Sequence, residues 1–551
     1  MKKLILILTV SIVLLNGCSK KIDEAYLTPN SFTEIEPETL LPQVISAMAG
    51  NYAGHGPLND IRYIGAYVQY FSFHLANSTF DAMGYNNSIG DVAQSTWRMH
   101  YYDIGQNNQK MMQLAAAQER WGLVGVGKAI EAWSWMVTVD YYGEVIVKEA
   151  FDASLTSFNY DSEEEGYNRI RQRAFEALEN LNKAQNDPKL SEADQYFYNG
   201  DIEKWKKFTN GILARYYNHF SNKASYKPDS AIYYADRAMT TTAENASVKF
   251  AATALGATHN FFGPFRANLG GAAVTNPTGI RQGAYIANMM NGTNPEFTGV
   301  QDPRAWYMLR GNTNGTITGV VSGAGQNALA AADRPENFHG IAQTSNTANN
   351  TTPANDQNCR FIFRNNAPIP VMTASEMKFI KAEAAFRKGD KASALQAFKE
   401  GINLHFDMLT TVYNAAIPAG KEITPTNRDA YMNNTAIVPT DPGNLTLTKI
   451  MLQKYISLFA HGTLETWMDM KRYHYTDVDP QTGEQIYRGY ALNIRSVDNK
   501  PSPGNPNAFV YRYYPRFNSE NLWNFNSLKK IGAAGEGSQS YHTKTLWIVQ
   551  P

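Results

Sequence analysis

The 551-residue sequence has only two cysteines, Cys18 and Cys359. That is too few for a metal site built on thiolates. It also has no net charge: lysine plus arginine and aspartate plus glutamate number 50 each, so no overall field draws the chain to nucleic acid. Apolar runs are scarce as well. The single long one, residues 4 to 15, spans 12 positions, short of the roughly 20 that a helix needs to cross a bilayer. Motifs of catalysis are missing too. There is no His-Glu-x-x-His, no Gly-x-Ser-x-Gly, no phosphate loop and no Gly-x-Gly-x-x-Gly after a strand. The ten histidines are scattered without ligand spacing. The acidic stretch "TDVDPQTGE" (476–484) places its glycine one position late for a calcium loop and lacks the closing glutamate, which predicts a polar turn. These absences argue against an enzyme and imply no cofactor.

What is present begins at the N-terminus. Lys2 and Lys3 precede the apolar run, as in an export signal. The run ends in Leu15-Asn16-Gly17-Cys18, which resembles the bacterial lipoprotein box, with Cys18 as the acylated residue and residues 1–17 as the signal peptide. A secretory signal with an incidental cysteine is the alternative. The charged cluster Ser19 to Glu24 resembles the tag that sends Bacteroidetes lipoproteins to the cell surface. Acyl chains on one cysteine contribute about 0.8 kcal/mol per buried methylene, which anchors the chain to an outer membrane without a spanning helix. With Cys18 acylated, Cys359 has no partner for an intramolecular disulfide, and stability must come from a packed core.

Aromatic residues make up 12 % of the chain, 32 of them tyrosine. Most must fill the core, although tyrosine beside asparagine and glycine also suits binding by stacking and hydrogen bonds. Apolar residues three and four apart predict helices over 91–118, 119–139, 162–184, 203–222 and 228–242. Helices resume at Thr373-Ala374-Ser375-Glu376, a capping-box pattern, and continue over about 446–461 and 463–473. Between them, residues 243–372 are rich in Gly, Asn, Thr and Ala without a sustained period. Residues 476–551 are loop-rich and aromatic. The stretch "FIKAEAAFRKGDKASALQAFKEGI" looks like a tetratricopeptide hairpin, with Ala384 and Ala385 allowing close approach. The expected fold is therefore mostly α: a tetratricopeptide-like helical hairpin scaffold (about 40–242 and 373–475) carrying a large irregular, loop-rich insertion. Residues 18–551 read as a single domain.

Several stretches in series resemble the SusD/RagB family of nutrient-binding outer-membrane lipoproteins, in its SusD-like branch. They are "WRMHYYDIGQNNQ", "GVGKAIEAWSWMVTVDYYGEV", "WKKFTNGILARYYNH", "DPRAWYML" with "GTITGVVSGAG", "MTASEMKFIKAEAAFRKGD" and "QKYISLFAHGTLETWMDMKRYHY". In the last, Lys471-Arg472 stands where two arginines are common. The C-terminal "YRYYPRFNSENLWN" keeps the family's features loosely. The resemblance implies a non-catalytic lid on a SusC-type TonB-dependent transporter barrel, trapping an oligosaccharide or peptide ligand, with the helices facing the barrel and the insertion supplying much of the ligand site. A surface protein that binds other proteins through its hairpins, with no nutrient captured, is the alternative.

Two loops combine aromatics with polar residues. In 75–87, Phe80 and Tyr85 are candidates to stack on a ligand, with Asn77, Asp81 and Asn86 to orient it. In 259–268, Phe261, Phe262 and Phe265 are the stacking candidates and Arg266 the polar one. Trp306 and Tyr307, after Asp-Pro-Arg, are divided between core and site. Trp97 reads as core because it lies on an apolar stripe. Glycan and peptide both remain open, since Asn, Gly and Phe serve either.

Overall fold

Helix ends in this chain follow from its capping residues, and helix faces from its glycines and alanines. The computed structural model describes residues 35–49, 60–78, 81–84, 95–255, 258–265, 279–340, 355–492, 505 and 508–551; Cys18 and the 1–17 leader lie outside them. Among the described residues the scaffold is carried chiefly by α1 (Gly105–Ala117), α2 (Trp121–Tyr142), α3 (Glu163–Asn182), α4 (Ile202–His219), α5 (Pro228–Ala235), α6 (Ala374–Lys388), α7 (Lys391–Val412), α8 (Leu447–Ser457) and α9 (Thr463–Arg472). Ser162 starts α3 by accepting a hydrogen bond from the Glu165 amide at 3.3 Å, and Glu163, Glu164 and Glu165 fill the first turn, where negative charge meets the helix dipole. Gly389 ends α6 in the left-handed conformation (φ 90°), and the Asp390 side chain then caps α7.

α2 is buried on almost every face, so it forms the axis of the N-terminal half. It packs on α3 through two close approaches. A Cβ on Gly125 would lie 2.7 Å from Leu181, and one on Gly166 would lie 2.6 Å from Val139. The pairs then continue: α3 on α4, α4 on α5, α5 on α6, and α6 on α7 and α8. The sequence shows irregular hairpins broken by the 243–372 segment, yet in space α5 meets α6 directly. Strands β2 (Ala246–Val248) and β4 (Ile369–Met372) explain why. They pair antiparallel at the two ends of the insertion and close its neck. Strands β1 (Phe71–Phe73) and β3 (Ile280–Gln282) pair Phe71 with Gln282 and Phe73 with Ile280, which ties the insertion to the N-terminal segment. One hydrophobic cluster runs from Leu41 to Val549.

Charged residues of the family-like stretches meet inside this scaffold. Glu376 at the start of α6 accepts from Arg215 of α4 at 2.5 and 2.8 Å. Glu383 accepts from Arg472 of α9 at 2.7 and 2.9 Å, and also from Tyr473. Lys454 of α8 donates to Asp469 at 3.0 Å, and Lys471 donates to the Asp140 carbonyl of α2 at 2.5 Å. All of these residues are buried. Glu376 therefore does not complete a capping box: Thr373 accepts from its amide, but its carboxylate is held by Arg215.

Other elements depart from their sequence reading. Of the 91–118 stretch, residues 91–94 lie outside the described residues, and the rest is a short α-helix at Ser95–Arg98, a π-helix at Met99–Ile104 and then α1. The insertion contains the helices Ala284–Asn291 and Ala305–Met308, and the C-terminal region contains Phe517–Trp523 and Phe525–Ile531. The 476–484 turn is organised by Asp479, which is buried and accepts from the Thr448 amide in the first turn of α8 at 2.9 Å. Among the described residues there is no group of three or more His, Cys, Asp or Glu arranged to hold a metal, and no helix long and apolar enough to cross a membrane.

Candidate functional site

The π-helix at Met99–Ile104 lies beside a cleft that Trp97, Tyr101 and Tyr102 line. Its wide turn is packed tightly, since a Cβ on Gly105 would lie 2.4 Å from both the His100 carbonyl and the Phe151 ring. Such bulges change which way successive side chains face and recur at functional sites. Here Tyr101 turns inward and Tyr102 outward. The Tyr101 hydroxyl accepts from the Ile146 amide and donates to the Ile146 carbonyl, both at 2.9 Å, so its ring is fixed. The Tyr102 ring is 57 % exposed, with the Arg98 guanidinium 5.4 Å from its centroid. Trp97 is buried and meets Tyr142 edge-on at 5.0 Å and Tyr101 at 4.8 Å.

Beside these residues opens a cleft of about 760 Å³, within the range of small-molecule sites. Trp97, Tyr101, Tyr102, Phe151, Leu155 and Phe158 supply its apolar lining, and Arg98, Gln106, Gln109, Arg516, Ser519 and Glu520 its polar groups. The far wall is held rigidly. Glu520 accepts from the Tyr160 hydroxyl and from Asn524, each at 2.6 Å, and Asn524 in turn accepts from the Phe158 amide at 2.7 Å. Burial raises the Asp103 carboxyl above its ordinary range, while Arg98 and Arg516 pull it back down. Flat rings flanked by amides, a hydroxyl and guanidinium groups can stack on a ligand and hydrogen-bond its edges.

Of the sequence candidates that fall among the described residues, none lines this cleft. Asp81 is buried under the β1 strand, where it accepts from Ser72 Oγ and from the Phe73 and Gly323 amides. Asn77 is half-buried at φ 55°, and its amide donates to the Gly323 carbonyl. Phe261 and Phe262 belong to the core, Phe261 edge-on to Phe250 and Phe262 edge-on to Phe363. The apolar ground beneath the 259–265 turn takes up both rings, so neither is open to a ligand. Phe265 alone of the three is exposed (57 %), stacked on His259 at 4.2 Å. Tyr307 is buried and its hydroxyl accepts from the Ile423 amide, whereas Trp306 is half-buried under Lys421, whose Nζ is 4.6 Å from the ring. Phe80, Tyr85, Asn86 and Arg266 lie outside the described residues. The signal that marks the cleft is the doublet Tyr101-Tyr102, which cannot place both rings on one helical stripe, followed by Gln106 and Gln109.

Comparison with protein families matches residues 29–489 to a SusD-like family described as "Starch-binding associating with outer membrane". Comparison with curated protein sequences finds no match. Among solved structures the chain is similar to a SusD/RagB family protein from Bacteroides thetaiotaomicron, with 18 % identity, 94 % of this chain and 99 % of that one covered, and a TM-score of 0.66. It is also similar to a SusD homologue from Bacteroides fragilis (15 % identity, 94 % and 100 % covered, TM-score 0.67). A third similar structure is titled a chitin-binding protein (18 % identity, 93 % and 99 % covered, TM-score 0.65).

Proposed function

We propose that this chain, which belongs to the SusD-like family, is a cell-surface glycan-binding lipoprotein that holds an oligosaccharide in the Trp97–Tyr102 cleft without changing it chemically. The family's description supports binding rather than catalysis. The observation that carries the choice of site is the fixed aromatic lining with Tyr102 presented to solvent. A pyranose offers one apolar face to such a ring and a rim of hydroxyls to Arg98, Gln106, Gln109 and Ser519. In this reading Cys18 carries the lipid, and the protein works as the lid of a SusC-type TonB-dependent barrel that imports the captured glycan. The likeness to SusD homologues supports that partnership through the shared fold.

Calorimetry with maltodextrins and chitooligosaccharides tests the site. Tyr102→Ala is expected to weaken binding by roughly tenfold, the upper part of what one stacking ring contributes. Its melting temperature is expected to stay unchanged because the ring is exposed. Full affinity in the folded variant would move the site elsewhere, first to Phe265 and Trp306. Binding of extended peptides in place of glycans would replace the cargo while keeping the cleft.

A further inference from the structure

The helix Phe517–Trp523 forms part of the cleft wall, and its sequence continues that wall outward. Ser519 and Glu520 line the cleft. At about 100° per residue, Trp523 projects between these two on the helix surface, one turn further along. Leu522 falls roughly 100° away from it and belongs to a different face. Trp523 is 69 % exposed, although tryptophan is ordinarily among the more buried side chains. The backbone under it is not loose. Asn524, the next residue, donates to Glu520 and accepts from the Phe158 amide, so the end of the helix is fixed to the Phe158 segment that also lines the cleft. A large flat ring is thus held in solvent, in line with the polar groups of the cleft. With a rise of about 1.5 Å per residue, it stands roughly 5 to 6 Å beyond Ser519 and Glu520, a step comparable to one pyranose unit.

We infer that Trp523 is an outer stacking platform for a linear glycan whose inner residues occupy the cleft, and that it selects for chain length. This rests on the glycan reading of the cleft. A short oligosaccharide fills the cleft without reaching Trp523, while a longer chain leaves along the helix and lays its next residue on the indole face. Tryptophan offers the broadest ring for that contact.

The test is a comparison of chain lengths. The purified protein and its Trp523→Ala and Trp523→Phe variants are titrated with maltose, short maltooligosaccharides and long maltodextrins, and with a matching chitooligosaccharide series. Trp523→Ala is expected to lose roughly twofold to tenfold in affinity for the long chains, to keep wild-type affinity for the short ones, and to be largely rescued by Trp523→Phe. Equal affinity of wild type and Trp523→Ala for long chains would overturn the inference while leaving the cleft reading intact. A uniform loss across all lengths would also overturn it, since that marks disturbance of the wall. Failure of the wild-type protein to bind any member of either series would overturn the cleft reading together with this one. Unchanged glycan binding with lost co-purification of a barrel partner would assign Trp523 to a protein interface instead.

Discussion

Asp81 shows how a residue whose type suggests ligand chemistry can be spent on the fold. Burial pushes its carboxyl up to about 7, and the hydrogen bonds from Gly323, Ser72 and Phe73 only partly offset that. An unfolded aspartate titrates near 3.9. Between these two values the folded chain keeps a proton that the unfolded chain has released. The contribution of Asp81 to stability is therefore complete below about pH 4 and is lost as pH rises through about 7. Asp81→Asn removes this dependence. Melting curves taken from about pH 5 to about pH 8 are expected to fall more steeply for wild type than for the variant, and parallel curves would refute the assignment.

Among the elements, the helices brought together from distant parts of the chain are joined by buried charge as well as by apolar contact. Glu383 of α6 receives both Arg472 of α9 and Tyr473, and Asn218 of α4 donates to it at 2.9 Å. The paired guanidinium holds the Glu383 carboxyl far below the ordinary glutamate range, although burial acts in the opposite direction. Glu383→Ala would leave Arg472 buried without its main counterion. We expect a loss of about 3 to 5 kcal/mol in denaturant unfolding. The paired change Glu383→Met with Arg472→Met should cost less, since it removes both charges and keeps the volume. A single variant no less stable than the double one would show that the pair does not join the helices as described.

For the whole molecule, the leading question is where it resides. Cys18→Ser removes the only thiol that the lipoprotein box can acylate, while the described fold contains no helix able to cross a membrane. The variant is expected to leave the outer-membrane fraction, to fold, and to bind glycans as well as wild type does. Its retention in the membrane pellet of cells lacking the barrel partner would exclude lipidation as the anchor. The cleft and its outer wall draw on residues 97–109, 146–158 and 516–520, so binding should also depend on an intact C-terminus, whose Trp547 and Ile548 amides are held by Glu163.

The sequence by itself determined the helical scaffold, because capping residues and three-to-four spacing act within a few residues of one another. The helix read over 162–184 runs from Glu163 to Asn182, the one read as resuming at Thr373 starts at Ala374 with Thr373 as its cap, and Ala384 and Ala385 are buried in the hairpin as their size implied. The family resemblance was equally legible, since its motifs supply a network that needs particular charges at particular helix positions. The tertiary structure alone decided which candidate rings are buried and where a cleft opens. Phe261, Phe262 and Tyr307 have the same composition signal whether they face solvent or core, and burial is settled by segments far away in the chain. Tyr102 is exposed while its neighbour Tyr101 is fixed against Ile146, and Trp523 is exposed at the end of a helix whose next residue, Asn524, is tied to Glu520 and Phe158. Local spacing encodes the elements; long-range packing decides which of their aromatic faces remain open.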